Sequence, residues 1–110
     1  MNLLEQRCTR GAPALDARAL PAAMAQVPGW QVDGQRILRS YAFKDYHETI
    51  AFVNALAEMI HREDHHPELS VSYRHCIVAW TTHSAGNAIS MNDIICAAKA
   101  DAIYEERTRA

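Results

Sequence analysis

HREDHHPELSVSYRHCIVAWTTH, residues 61–83, holds five of the chain's six histidines and its clearest changes of period. It opens on the end of an apolar stripe at helical spacing, and Pro67 stops that helix because a proline removes a backbone donor and restricts the residue before it. Leu69, Val71 and Tyr73 then alternate with Glu68, Ser70, Ser72 and Arg74, the pattern of a half-buried strand. Arg74-His75 reads as a turn. Cys76 to Thr82 reads as a second strand, apolar on both faces as a central position requires, and its parity places His83 on the face of Ile77, Ala79 and Thr81. One stretch thus carries a helix end and a hairpin.

Upstream, Phe52, Val53, Leu56 and Ile60 form the helical stripe, and Ala55 and Met59 widen it. Asp45 caps this helix, with Glu48 three residues on completing a capping box, and the helix runs to about Asp64. An arc this wide fits a helix partly buried by a partner chain. Before it, Trp30 to Val32 and Arg36 to Phe43 read as strands joined at Asp33-Gly34, a strong hairpin signal. Ile37, Tyr41 and Phe43 share one face, and Leu38, Ser40 and Ala42 the other. A short helix begins at Asp16 as cap, or at Pro21, and ends before Pro28-Gly29. Residues 1–14 show no period and read as a flexible arm.

Downstream, Ser84 to Ile89 reads as a loop containing Gly86. Ser90 caps the last helix with Asp93 three residues on. Met91, Ile94, Ile95, Ala98 and Ala102 form its buried stripe, and residues 105–110 read as a polar, frayed tail. The order is α-β-β-α-β-β-α. The central helix must bury its stripe, so the expected fold is α+β: a four-stranded antiparallel sheet with helices packed on one face, as a single domain over residues 15–106.

The 110 residues suit one domain. A net charge of −2 with no basic run argues against a nucleic-acid footprint. No apolar run reaches the roughly 20 residues a bilayer requires. Cys8, Cys76 and Cys96 form no CxxC pair, which points to free thiols and a cytoplasmic setting. Cys8 reads as a lone cysteine in a loose arm, and Cys76 and Cys96 as small core residues.

The histidines carry the chemistry, because imidazole titrates near neutral pH. His61 and His65 are four apart and share a helix face. His65, His66 and His83 would gather between a helix end and a strand end. Favourable cation placement at a helix C-terminus explains one histidine there, but poorly explains three. Metal binding is the main rival, with Glu63 and Asp64 as further oxygen donors, although both read first as solvated helix residues. However, Arg62 follows His61, so the zinc motif HExxH is absent, and acid–base chemistry ranks above metal. Asp93 reads first as a capping residue. Trp80 and Tyr73 read first as core residues and second as ring-stacking surfaces.

His65-His66-Pro67-Glu68, Tyr73, Thr82-His83, Gly86 and Asp93 together resemble the signature of the pterin-4a-carbinolamine dehydratase family. Gly29-Trp30 and Phe43-Lys44-Asp45-Tyr46 extend the resemblance over roughly residues 14–105. It implies a four-stranded antiparallel sheet with helices on one side and a homodimer or homotetramer. It further implies dehydration of 4a-hydroxytetrahydropterin beside an aromatic amino-acid hydroxylase, with no metal or organic cofactor. The resemblance makes His65, His66 and His83 the catalytic set, with His61, Pro67 and Asp93 binding or orienting the substrate. Two departures stand out: His61 where some members have glutamate, and Leu69 where an aromatic often follows. The alternative reading is a non-catalytic dimerising module that regulates another protein.

Overall fold

In a computed structural model the described residues are 2–108. They form helices α1 (Ala19–Met24), α2 (Tyr46–Glu63) and α3 (Met91–Thr108), and strands β1 (Gln31–Asp33), β2 (Arg36–Ala42), β3 (Glu68–Val71) and β4 (His75–Trp80). Two 3-10 turns, Leu3–Glu5 and His83–Ala85, complete the chain. The expected order α-β-β-α-β-β-α holds. The strands make one antiparallel sheet in the order β1-β2-β4-β3, so β4 is central.

Register fixes which face the helices cover. Ile37 lies opposite Trp80 and Tyr41 opposite Cys76, and all four are buried with Val78 among Phe52, Leu56 and Ile94 of the helices. On the other face Ser40 lies opposite Ile77 and Ala42 opposite His75, all exposed. Aromatic contacts tie the layers together: Tyr41, Phe43, Phe52 and Tyr104 lie within 4.7–6.1 Å of one another, centroid to centroid. No helix among the described residues is long and apolar enough to cross a membrane.

The helix starts follow their caps. Asp16 Oδ1 accepts from the N–H groups of Arg18 and Ala19, so Asp16 precedes α1 and Pro21 falls in the first turn, where backbone N–H groups lack helical partners. Asp45 Oδ1 accepts from Glu48 N–H, while Glu48 Oε1 reaches back to Lys44 N–H, one residue earlier than an ideal box. Ser90 and Asp93 make the box at α3: Ser90 Oγ accepts from Asn92 N–H, and Asp93 Oδ2 from Ser90 N–H.

Several local expectations shift. Asp33 pairs with Arg36, so the first hairpin loop is Gly34-Gln35 rather than Asp33-Gly34. Gly34 has φ +63° and Gln35 does not have positive φ, the pattern of a II′-type loop with glycine first. β3 ends at Val71, and the turn falls at Tyr73-Arg74 rather than Arg74-His75, which leaves Tyr73 60% exposed instead of in the core. Leu69 and Val71 lie opposite Val78 and Cys76 on the helix side, yet both are exposed, because β3 is an edge strand beyond the helices. Of the wide arc of α2, Phe52, Leu56, Met59 and Ile60 are buried within the chain, whereas Val53 and Ala55 are half-buried. α3 continues through Thr108, past the point where fraying was expected, and residues 109–110 of that tail lie outside the described residues.

Away from the sheet centre, Asp101 of α3 ties the first hairpin down. Its Oδ1 accepts from Trp30 Nε1 (3.1 Å), Arg39 Nη1 (2.7 Å) and the Tyr41 hydroxyl (2.6 Å). Gly29 leaves room for this: a Cβ there would stand 2.9 Å from Arg39 Nη1.

Candidate active site

α2 ends in a way that sets the histidines. Asp64 takes left-handed backbone (φ 51°), and its N–H returns to the Ile60 carbonyl. His65 therefore leaves the helix axis, and the expected shared helical face of His61 and His65 is broken. His61 stays exposed on the last turn of α2. His65 turns inward, and its Nε2 lies 2.6 Å from Asp93 Oδ1. Pro67, half-buried, restricts His66 to extended backbone and sends the chain into β3. His66 is exposed and makes no hydrogen bond or ion pair among the described residues.

Asp93 is fully buried. Its Oδ2 accepts from Ser90 N–H (2.9 Å) and the Thr82 hydroxyl (2.8 Å), which in turn lies 2.7 Å from Ser90 Oγ. Burying an ionised carboxylate is costly unless its oxygens are bonded, and here both are. A carboxylate only accepts, so His65 Nε2 is the donor, and Nδ1 is left to act on something else. The capping role of Asp93 and its histidine contact thus use different oxygens of one side chain.

The imidazole of His65 is also stacked on Trp80, with ring centroids 5.4 Å apart and planes 8° from parallel. Trp80 is fully buried, and its Nε1 has no hydrogen-bond partner among the described residues. Both expected roles of Trp80 meet here, since it is a core residue whose stacking partner is His65.

β4 ends at Trp80, so strand parity does not reach His83. Thr82 pairs with Ala88 to close a short loop, and His83 opens a 3-10 turn inside it. His83 is exposed, and its Nδ1 lies 2.7 Å from Asn87 Oδ1. Gly86 (φ 75°) and Asn87 (φ 58°) provide the left-handed backbone that brings Asn87 round. The ends of α2 and β4 therefore converge on Asp93, one through His65 and the other through Thr82. A recess of about 400 Å³ beside these turns is lined by Cys8, Arg62, Glu63, Asp64, Ser84 and Asn92 among others, with none of the three histidines in its wall. His66 and His83 are exposed, while His65 is half-buried against Asp93. No group of three His, Cys, Asp or Glu side chains among the described residues is placed to hold a metal ion.

A model of the family described as pterin 4 alpha carbinolamine dehydratase matches residues 13–103. This chain belongs to that family. A Chromobacterium violaceum protein named "Putative pterin-4-alpha-carbinolamine dehydratase" is 43% identical over 106 residues, which covers 94% of this chain and 97% of the relative. Among solved structures, a Brucella melitensis protein described as a transcriptional coactivator/pterin dehydratase superposes with TM-score 0.77 at 35% identity, covering 83% of this chain and 98% of that one. A pterin dehydratase-like protein described as a RuBisCO assembly factor of the alpha-carboxysome superposes with TM-score 0.60 at 23% identity, and so shares the fold. The match to the pterin 4 alpha carbinolamine dehydratase family spans His61, His65, His66, Pro67, His83 and Asp93.

Sequence reasoning missed Ser90 and Asn87 as partners of this site. Ser90 was visible only as a helix cap. Asn87 carried no signal, because its role depends on the backbone turn at Gly86.

Proposed function

We propose that this chain dehydrates a 4a-hydroxytetrahydropterin to the quinonoid dihydropterin, with His65, His66 and His83 as the acid–base set. The observation that carries this reading is the contact of His65 Nε2 with the buried carboxylate of Asp93 at 2.6 Å. In the reaction the bond from C4a to the hydroxyl oxygen breaks, and the oxygen leaves with its electron pair and takes up a proton. The adjacent ring nitrogen supplies its lone pair to form the C=N bond and loses its own proton. The products are water and the quinonoid pterin, so no electron acceptor is required.

Both proton movements suit groups that titrate near the working pH, and each contributes about 10²–10⁴-fold. In this reading Asp93 holds His65 in one tautomer and leaves Nδ1 as the exchanging atom. His66 and His83 are exposed, and in this reading they meet the pterin together with His65. His61 and Pro67 border the site as orienting residues.

The same reading makes this the recycling step beside an aromatic amino-acid hydroxylase, in the cytoplasm, by a homodimer or homotetramer. Exposed Leu69 and Val71 on the edge strand β3 support an oligomer. The alternative, a non-catalytic dimerising module, predicts binding without turnover.

The test is dehydration of freshly generated 4a-hydroxytetrahydropterin, followed by ultraviolet absorbance with excess chelator present. Turnover well above the uncatalysed rate, lost in His65→Ala, supports the enzyme. A folded protein with no acceleration sinks it.

A further inference from the structure

Cys8 and Cys96 are 88 positions apart in the chain, but their sulfurs lie 3.4 Å apart. Cys96 is fully buried in α3, whereas Cys8 is partly exposed on the segment that packs against it. That segment is held on both sides of the thiol. Cys8 N–H donates to Glu63 Oε1 (2.8 Å), and Thr9 N–H donates to Asn92 Oδ1 (3.0 Å). Asn92 Nδ2 donates back to the Thr9 carbonyl (2.9 Å), and Arg7 Nε pairs with Glu63 Oε2 (2.9 Å). The two sulfurs are therefore positioned neighbours. A disulfide spans about 2.05 Å, so the sulfurs need to close by only about 1.3 Å.

The partly exposed sulfur is also reachable. The recess of about 400 Å³ has Cys8 in its wall, with Arg10 and Arg62 balanced by Glu63 and Asp64, and gives a small oxidant access to the thiol. Cys76, by contrast, is buried with no thiol neighbour.

We propose that Cys8 and Cys96 form a reversible disulfide, a redox modification site that fixes the segment before α1 to α3. The oxidant is a low-molecular-weight disulfide of the glutathione type. The Cys8 thiolate attacks one of its sulfurs, forming a mixed disulfide and releasing one thiolate. The sulfur of Cys96, giving up its proton, then displaces the second thiolate from Cys8. Two protein thiols are oxidised and one small disulfide is reduced to two thiols. The order follows from the surroundings: the hydrogen bond with Cys8, together with burial, holds the Cys96 thiol well above its ordinary range. Cys8 therefore reacts first. This site needs no histidine and stands independently of the dehydratase reading.

The folded, reduced protein is incubated with oxidised glutathione without denaturant, quenched in acid, alkylated and weighed. The expected product is lighter than the reduced protein by about 2 Da, the mass of two hydrogens, with a peptide linking Cys8 to Cys96. Dithiothreitol reverses it. The melting temperature rises by roughly 10 °C, because the bond closes a long loop. Cys8→Ser, a change at a partly exposed position, abolishes both effects while Cys76 stays unmodified. A stable glutathione adduct on Cys8 without the cross-link would overturn the proposal. So would full alkylation of both thiols after oxidant treatment, or the same cross-link mass in Cys8→Ser.

Discussion

The imidazole of His65 lies parallel to the indole of Trp80, planes 8° apart, while its edge meets Asp93 at 2.6 Å. One ring is thus fixed by a face contact and an edge contact from two different elements, β4 and α3. An aromatic ring stacked on an indole alters the environment of its π face, so Trp80 fluorescence reports the contact with His65. In a Trp30→Phe background the emission is expected to change in His65→Leu, which removes the stacked ring. Trp80→Phe keeps a planar ring and should cost less than tenfold in kcat. Trp80→Leu frees the imidazole and should cost more, measured beside melting temperature to separate packing loss.

Asp93→Asn keeps the shape of the side chain but removes its charge. The amide can still cap α3, yet it no longer enforces the proton on His65 Nε2. The expected loss in kcat is about 10²-fold or more, with a changed pH–rate profile. Equal pH profiles for Asp93→Asn and the parent protein would mean that Asp93 serves only the helix.

His66 and His83 are exposed, and the His83 imidazole bonds Asn87. Replacing either by alanine should leave stability within about 0.5 kcal/mol, since surface changes away from packing are nearly neutral. Turnover should nevertheless fall about 10²-fold in each. Circular dichroism melts beside the absorbance assay check both halves.

Glu63 governs a different pH response. Burial pushes its carboxyl up, but the hydrogen bond from Lys99, the Cys8 N–H and the charges of Lys99 and Arg7 outweigh this and hold it below the usual range. A depressed carboxyl lends stability that is present above the unfolded value, near 4.3, and lost as pH falls through the lower folded value. Urea melts should therefore show stability falling below about pH 4, with the fall blunted in Glu63→Gln. That variant should lose about 2–3 kcal/mol at neutral pH by leaving Lys99 unpaired.

The fold was legible because its signals are periodic and local. The stripe of α2, the cap at Asp45 and the stop at Pro67 each act over a few residues. What escaped depends on backbone geometry or on distance along the chain. The left-handed Asp64 moves His65 off the helical face it would share with His61. The end of β4 at Trp80 cancels the parity that placed His83. The exposure of Leu69 follows from strand order, which alternation does not encode. The segment read as a loose arm is tied to Glu63 and Asn92 by side chains more than 50 positions away, and its cysteine meets Cys96 across 88.

The threefold acceptor Asp101 and the catalytic candidate Asp93 sit eight residues apart on α3, about 12 Å along one rigid rod. The hairpin therefore anchors the helix that carries Asp93: Arg39, seated in the space that Gly29 leaves open, bonds Asp101, and Asp93 on the same helix meets His65. A change at Gly29 or Arg39 is therefore expected to reach Asp93 along the helix, from residues of the opposite hairpin.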